Sequence, residues 1–144
     1  MEVEVRAEVR DTEDLRKVER AILNLFSPDS VEVEELGDRR LIVARGRGPS
    51  SLRKLYNALR SQRILDAARS YLKMGRAGNT VVFHLHKQAA YVGVASFCSL
   101  PERESPLGPI TFIVTTSDPK RFIDWLAPRT VRGQPVGEAR PPDP

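Results

Sequence analysis

The sequence predicts an α+β fold: an antiparallel-dominated sheet of about six strands with helices largely on one face, in the order β-α-β-β-α(α)-β-β-α. Three observations carry that reading. Segments of period two occur in neighbouring pairs joined by turns rather than by helical crossovers, amphipathic helical stripes lie between the pairs, and a chain of 144 residues with 40% apolar content supports one core.

The first element is set by Val3, Val5, Ala7 and Val9, which alternate with Glu2, Glu4, Arg6, Glu8 and Arg10 as a strand covered on one side does. Asp11 or Thr12 is placed to cap a helix with Glu13 and Asp14 in its first turn, a stripe of Leu15, Val18, Ala21, Ile22 and Leu25, and an end near Ser27-Pro28. Val31 and Val33 alternate with Glu32 and Glu34, and Gly37-Asp38 turns the chain into Leu41 to Ala44, a hairpin. After Gly46-Arg47-Gly48-Pro49, Ser50 or Ser51 caps a helical region with two offset stripes, Leu52, Leu55, Tyr56, Leu59 and Ile64, Ala68, Tyr71, Leu72. The offset predicts a kink or two consecutive helices. Segments Thr80 to Leu85 and Ala90 to Phe97 read as a second hairpin turning near Lys87-Gln88. A loop with Pro101, Pro106, Gly108 and Pro109 leads to a strand over Ile110 to Val114. Ser117-Asp118-Pro119 then starts a helix carrying Phe122, Ile123, Trp125 and Leu126. These elements form a single domain over residues 1–132, and residues 133–144, rich in Pro and Gly, read as a flexible tail.

Composition narrows the function classes. The longest apolar run, Ala89 to Ala95, is far short of the roughly 18 to 20 residues that span a bilayer, and the charged N-terminus has no signal-peptide core. One cysteine, Cys98, fits a reducing compartment, so the expected location is the cytoplasm.

The net charge of +4 hides an asymmetry along the chain. Residues 1–38 hold 5 basic and 12 acidic side chains, residues 39–76 hold 11 and 1, and residues 77–144 hold 7 and 6. In the basic middle segment Arg53 and Arg60 share nearly one helical azimuth, with Arg63 close by, and Arg69, Lys73 and Arg76 follow at spacings of four and three. Such a stripe, beside Arg45, Arg47 and Lys87, is suited to phosphate contact, whereas a solvated helix face is the bland alternative. Tyr56 and Tyr71 lie on apolar stripes and read as core residues with rim hydroxyls.

Signals for chemistry are sparse. His84 and His86 share one face of a strand, a two-ligand arrangement without a third ligand nearby, and no metal or cofactor is expected. The hairpin reading puts Cys98 far from His86, too far for a nucleophile and base. Gly46 to Ser51 lacks the Gly-Lys-Ser/Thr ending of a phosphate-binding loop, and Asp66 and Asp124 have no evident acidic partner.

Four motifs occur in order: Gln62-Arg63-Ile64-Leu65-Asp66; Lys87-Gln88-Ala89-Ala90 with Gly93; Pro106-Leu107-Gly108-Pro109-Ile110; and Ile123 to Pro128 with Thr130. In them the chain resembles the archaeal uncharacterised protein family 0201 over about residues 3 to 132. His86 departs from the asparagine expected before the Lys-Gln pair. The resemblance implies a fold like that of the ribosomal protein that binds 5S rRNA, and no known activity. Charge and resemblance together predict a non-catalytic RNA-binding or RNA-associated domain that reads shape or backbone. The candidate contacts are Arg53, Arg60, Gln62, Arg63, Arg69, Lys73, Lys87 and Gln88. The alternative is a protein-interaction or scaffold domain whose partner is another protein or a second copy, and an enzyme with a dispersed site is the third reading.

Overall fold

The computed structural model of the chain describes residues 1–99 and 108–143. Strands β1 (Glu2–Val9), β2 (Ser30–Leu36), β3 (Arg39–Arg47), β4 (Arg76–Ala77), β5 (Thr80–His86) and β7 (Pro109–Thr115) form an antiparallel sheet in the order β2-β3-β1-β7-β5-β4, with β6 (Phe97–Cys98) pairing to β5. Register places Val5 opposite Ala44 on one side and Phe112 on the other, so the apolar set of each strand points the same way. Val3, Val5, Ala7, Val9, Ile42, Ala44, Val81, Phe83, Leu85, Ile110, Phe112 and Val114 are all buried in one core with the helices. Among the described residues no helix packs on the other face of the sheet, which presents the alternate, mostly polar residues.

Helices α1 (Leu15–Leu25), α2 (Arg53–Ser61), α3 (Leu65–Met74) and α5 (Pro119–Leu126) supply Ile22, Leu25, Leu55, Leu59, Leu72 and Phe122 to that core. Burying one such side chain contributes about 1.5 to 3 kcal/mol. An aromatic chain runs through it, with Tyr71 stacked on Phe97, Phe83 stacked on Phe112 at 4.9 Å, and Phe26 edge-on to Phe112 at 5.9 Å.

Several local expectations need correction. Asp14, not Asp11 or Thr12, caps α1, accepting from the Arg16 amide at 2.9 Å from an extended backbone. Neither Ser50 nor Ser51 caps the next helical region. Gly48, at φ 72°, opens a 3-10 turn over Pro49–Leu52, and Ser51 donates back to the Gly48 carbonyl at 2.8 Å. The second hairpin forms only over its last residues, where Phe97–Cys98 pair antiparallel with Leu85 and His84, and it does not turn near Lys87-Gln88. After β5 the residues Lys87–Tyr91 make a short helix, α4, ended by Gly93 at φ 82°, and only Phe97–Cys98 return as a strand. β5 finds its long partner in β7 instead, and Cys98 lies directly across from His84 rather than at a remote hairpin end. Lys, Gln and Ala favour helix, and the register with β7 buries Phe83 against Phe112. The Pro101 and Pro106 part of the loop lies outside the described residues.

The break between α2 and α3 has a specific cause. Ile64 donates to the Leu59 carbonyl and Arg63 to the Arg60 carbonyl, at 3.1 Å each, with Arg63 at φ 58°. This is a Schellman stop with arginine at the left-handed position that glycine usually fills. Downstream, β8 (Thr130–Val131) and β9 (Gln134–Pro135) form a two-stranded ribbon, and residues 136–143 then run along the body, where Glu138 meets Arg60 and Asp143 meets Thr116 and Ser117.

Candidate nucleic-acid interface

The eight candidate contacts divide into two groups by what their polar atoms already touch. Gln62 forms a two-bond clasp with Ala95, its Nε2 donating to the carbonyl and its Oε1 accepting from the amide, both at 2.9 Å. Lys87 is 4% exposed; its Nζ donates to the Glu8 carbonyl at 2.7 Å and to both Glu13 carboxylate oxygens at 3.1 Å. Burial pulls the Lys87 pKa below the ordinary lysine value, against the opposing pull of Glu13. Arg69 pairs with Asp124 at 2.9 Å and donates to the Ala127 carbonyl at 3.1 Å. Arg60 pairs with Glu138 at 2.9 Å. These four tie elements together.

Arg53, Arg63, Lys73 and Gln88 are exposed. Among the described residues, Arg53, Arg63 and Lys73 have no carboxylate within the 4.0 Å of an ion pair. The first stands at the start of α2, the second at the α2–α3 stop and the third in the last turn of α3. Arg53 also lies 5.9 Å from the centre of the Tyr56 ring.

The bare face of the sheet is electrostatically different. Arg45 joins Glu4 and Glu32 at 3.1 and 3.2 Å, Arg6 joins Glu4 at 2.6 Å, and Arg39 and Arg10 both reach Glu8. A groove of about 590 Å³ on this face is lined by both signs of charge, Glu2, Glu4 and Asp29 against Arg45 and Arg47. No Phe, Tyr or Trp belongs to the alternate set of β1, β3, β5 or β7, and the rings on those strands' bare face are the imidazoles of His84 and His86. His84 sits there with Nδ1 2.9 Å from Thr111 Oγ1, and burial lowers its pKa, favouring the neutral ring. Among the described residues no cluster of three or more His, Cys, Asp or Glu has metal-binding geometry, and no helix is long and apolar enough to cross a membrane.

Comparison with known proteins places this geometry in a family. A family model described as RNA binding matches residues 2–116. A UPF0201 protein of Pyrobaculum neutrophilum is 54% identical over 144 residues, covering 99% of this chain and 100% of its own. The chain belongs to the UPF0201 family. A UPF0201 protein of Metallosphaera sedula is 50% identical over 139 residues, 96% of each chain, and the family's relatives here are archaeal. The crystal structure of the Methanococcus jannaschii UPF0201 protein superposes with a TM-score of 0.81 at 34% identity, over 95% of this chain and 100% of that one.

Several of the polar motif residues prove to be stitches between elements. Gln62 holds Ala95, Asp66 accepts from Thr130 Oγ1 at 2.6 Å, and Asp124 holds Arg69. Sequence reasoning missed Glu138 and the stacked Tyr56–Trp125 pair, whose centroids are 5.4 Å apart. The only advance sign of the first was one of two acids, Glu138 and Asp143, in a segment with no apolar period. The second could not be read, because its rings come from separate helices.

Proposed function

We propose that this chain is a non-catalytic RNA-associated domain that meets the backbone of structured RNA with the outer surface of its helical layer, using Arg53, Arg63 and Lys73, with Gln88 as a neutral candidate on α4. One observation carries the reading. In a segment with 11 basic and 1 acidic residues, these three exposed cations have no acidic partner among the described residues, whereas Arg39 and Arg45 of the sheet face are paired with Glu8, Glu4 and Glu32. Unpaired cations release counterions from phosphate, the main source of sequence-independent affinity. The family model's description supports the ligand class. Recognition is of backbone and shape, in an intracellular, cytoplasmic setting. The test is binding of a structured RNA and a matched DNA duplex across a salt series, for the wild type and for Arg53→Glu/Arg63→Glu/Lys73→Glu. Steep salt dependence that the triple variant loses supports the proposal. Equal binding by both proteins, or none at low salt, refutes it.

A protein-interaction role is favoured by one observation, the edge strand β2. All seven of its residues are exposed, including Val31, Val33 and Leu36, and its outer edge pairs with no described strand. Glu32, Glu34 and Glu35 make a basic extended segment its fitting partner. A discrete complex that survives nuclease treatment and is lost on Val33→Lys would favour this reading.

A further inference from the structure

The Arg60 guanidinium is fixed by the fold before any acid reaches it. Nη1 donates to the carbonyls of Tyr56 and Leu126, both at 3.2 Å, and Nη2 donates to the carbonyl of Trp125 at 3.3 Å. Its central carbon lies 3.4 Å from the centre of the Tyr56 ring, which is itself stacked on Trp125. Three of the five N–H groups are thereby used, leaving the Nε–Nη2 edge, the edge that grips two oxygens of a carboxylate or phosphate side by side. The Tyr56 hydroxyl adds a donor at the same place.

In the folded chain that edge is filled by Glu138. Nε reaches Oε1 at 3.4 Å and Nη2 reaches Oε2 at 2.9 Å, while the Tyr56 hydroxyl donates to Oε2 at 3.0 Å. Glu138 is 46% exposed and belongs to a segment, residues 136–143, with no helix or strand of its own. The segment is held further on by the Arg140 carbonyl, which accepts from Arg121 Nε at 3.1 Å, and by Asp143 on Thr116 and Ser117. A carboxylate is thus delivered by a tether to a preformed oxyanion cradle.

We infer that Arg60 and Tyr56 form a phosphate site, that Glu138 is its intramolecular occupant, and that residues 136–143 are a strap which a backbone phosphate displaces. The ligand class rests on the RNA reading above; the cradle itself does not. A tethered acid acts at an effective concentration on the order of millimolar, so a lone weak phosphate is excluded. An RNA already engaged by Arg53 and Arg63 supplies the competing phosphate at comparable effective concentration.

The test uses the full chain. Glu138→Ala opens the cradle, and Glu34→Ala, on the exposed edge strand, makes the same charge change elsewhere. Trp125, the one tryptophan, reports on the stack by fluorescence. Inorganic phosphate is expected to give a saturable Trp125 signal with Glu138→Ala and none with the wild type or Glu34→Ala. Structured RNA is expected to bind Glu138→Ala about five- to tenfold more tightly, with a salt slope steeper by about 0.7 to 0.9, one phosphate's worth. Adding Arg60→Gln should remove both gains. If Glu138→Ala matches Glu34→Ala toward phosphate, the inference falls, whatever RNA does. Saturable phosphate binding without RNA binding by any variant would uphold the cradle and sink the RNA reading alone.

Discussion

Single residues show where the chain has spent its polar groups. Lys87 and Glu13 make a buried clamp between the start of α4 and the entry to α1, with side chains 5% and 9% exposed. Lys87→Met is expected to lower stability by about 3 to 5 kcal/mol by leaving Glu13 buried without its partner, and Lys87→Met/Glu13→Leu to recover much of the loss. Denaturant titrations of the four-member cycle would measure this. Gly75 has no room for a side chain, since a Cβ there would sit 1.7 Å from the Val82 carbonyl oxygen. Gly75→Ala should therefore cost on the order of 3 kcal/mol or prevent folding, seen as a lowered denaturation midpoint. His84 contributes a pH dependence of known sign. Its folded pKa lies below the ordinary 6.5, so between the two values the unfolded chain binds more protons and stability rises with pH. Denaturation midpoints should fall as pH drops from about 6.5, and His84→Asn should flatten that fall.

At the scale of elements, the α2–α3 stop combines a structural cost with an exposed charge. Arg63 at φ 58° occupies a conformation that glycine adopts without penalty. Arg63→Gly is expected to stabilise the chain by about 1 kcal/mol while weakening RNA binding, a divergence that parallel melting and binding experiments would detect. The same element exposes a limit of periodicity. The two offset stripes announce a break after α2, but Thr80 to Phe97 reads as two strands because a five-residue helix is too short to show its own period.

For the molecule as a whole, the acidic first segment and the basic middle segment meet in space, but only in part. Glu4, Glu8 and Glu32 face Arg39 and Arg45 across β1, β2 and β3, so the sheet face neutralises itself. Among the described residues the helical layer has no such counterpart for Arg53, Arg63 and Lys73. Reversing Arg6 and Arg45 to Glu should therefore change RNA affinity by no more than about threefold, whereas reversing the helical trio should abolish it at moderate salt; filter binding at two ionic strengths separates the cases. The strap adds a second whole-molecule property, because it joins the far end of the chain to α2 through Glu138.

The sequence by itself determined the α+β class, strands β1, β2, β3 and β7, helices α1 and α5, the broken central helix and the uneven charge, because each is a local pattern of period, cap or composition. Its motifs also sufficed for the family. Tertiary structure alone decided which of the candidate side chains are tied to other elements. Gln62, Lys87, Arg69 and Arg60 look like Arg53, Arg63 and Lys73 in the sequence, yet their partners, Ala95, Glu13, Asp124 and Glu138, lie between 33 and 78 residues away. Hydrogen bonds and ion pairs act over about 3 to 4 Å, and no one-dimensional pattern carries that separation until the sheet and helices bring the chain together.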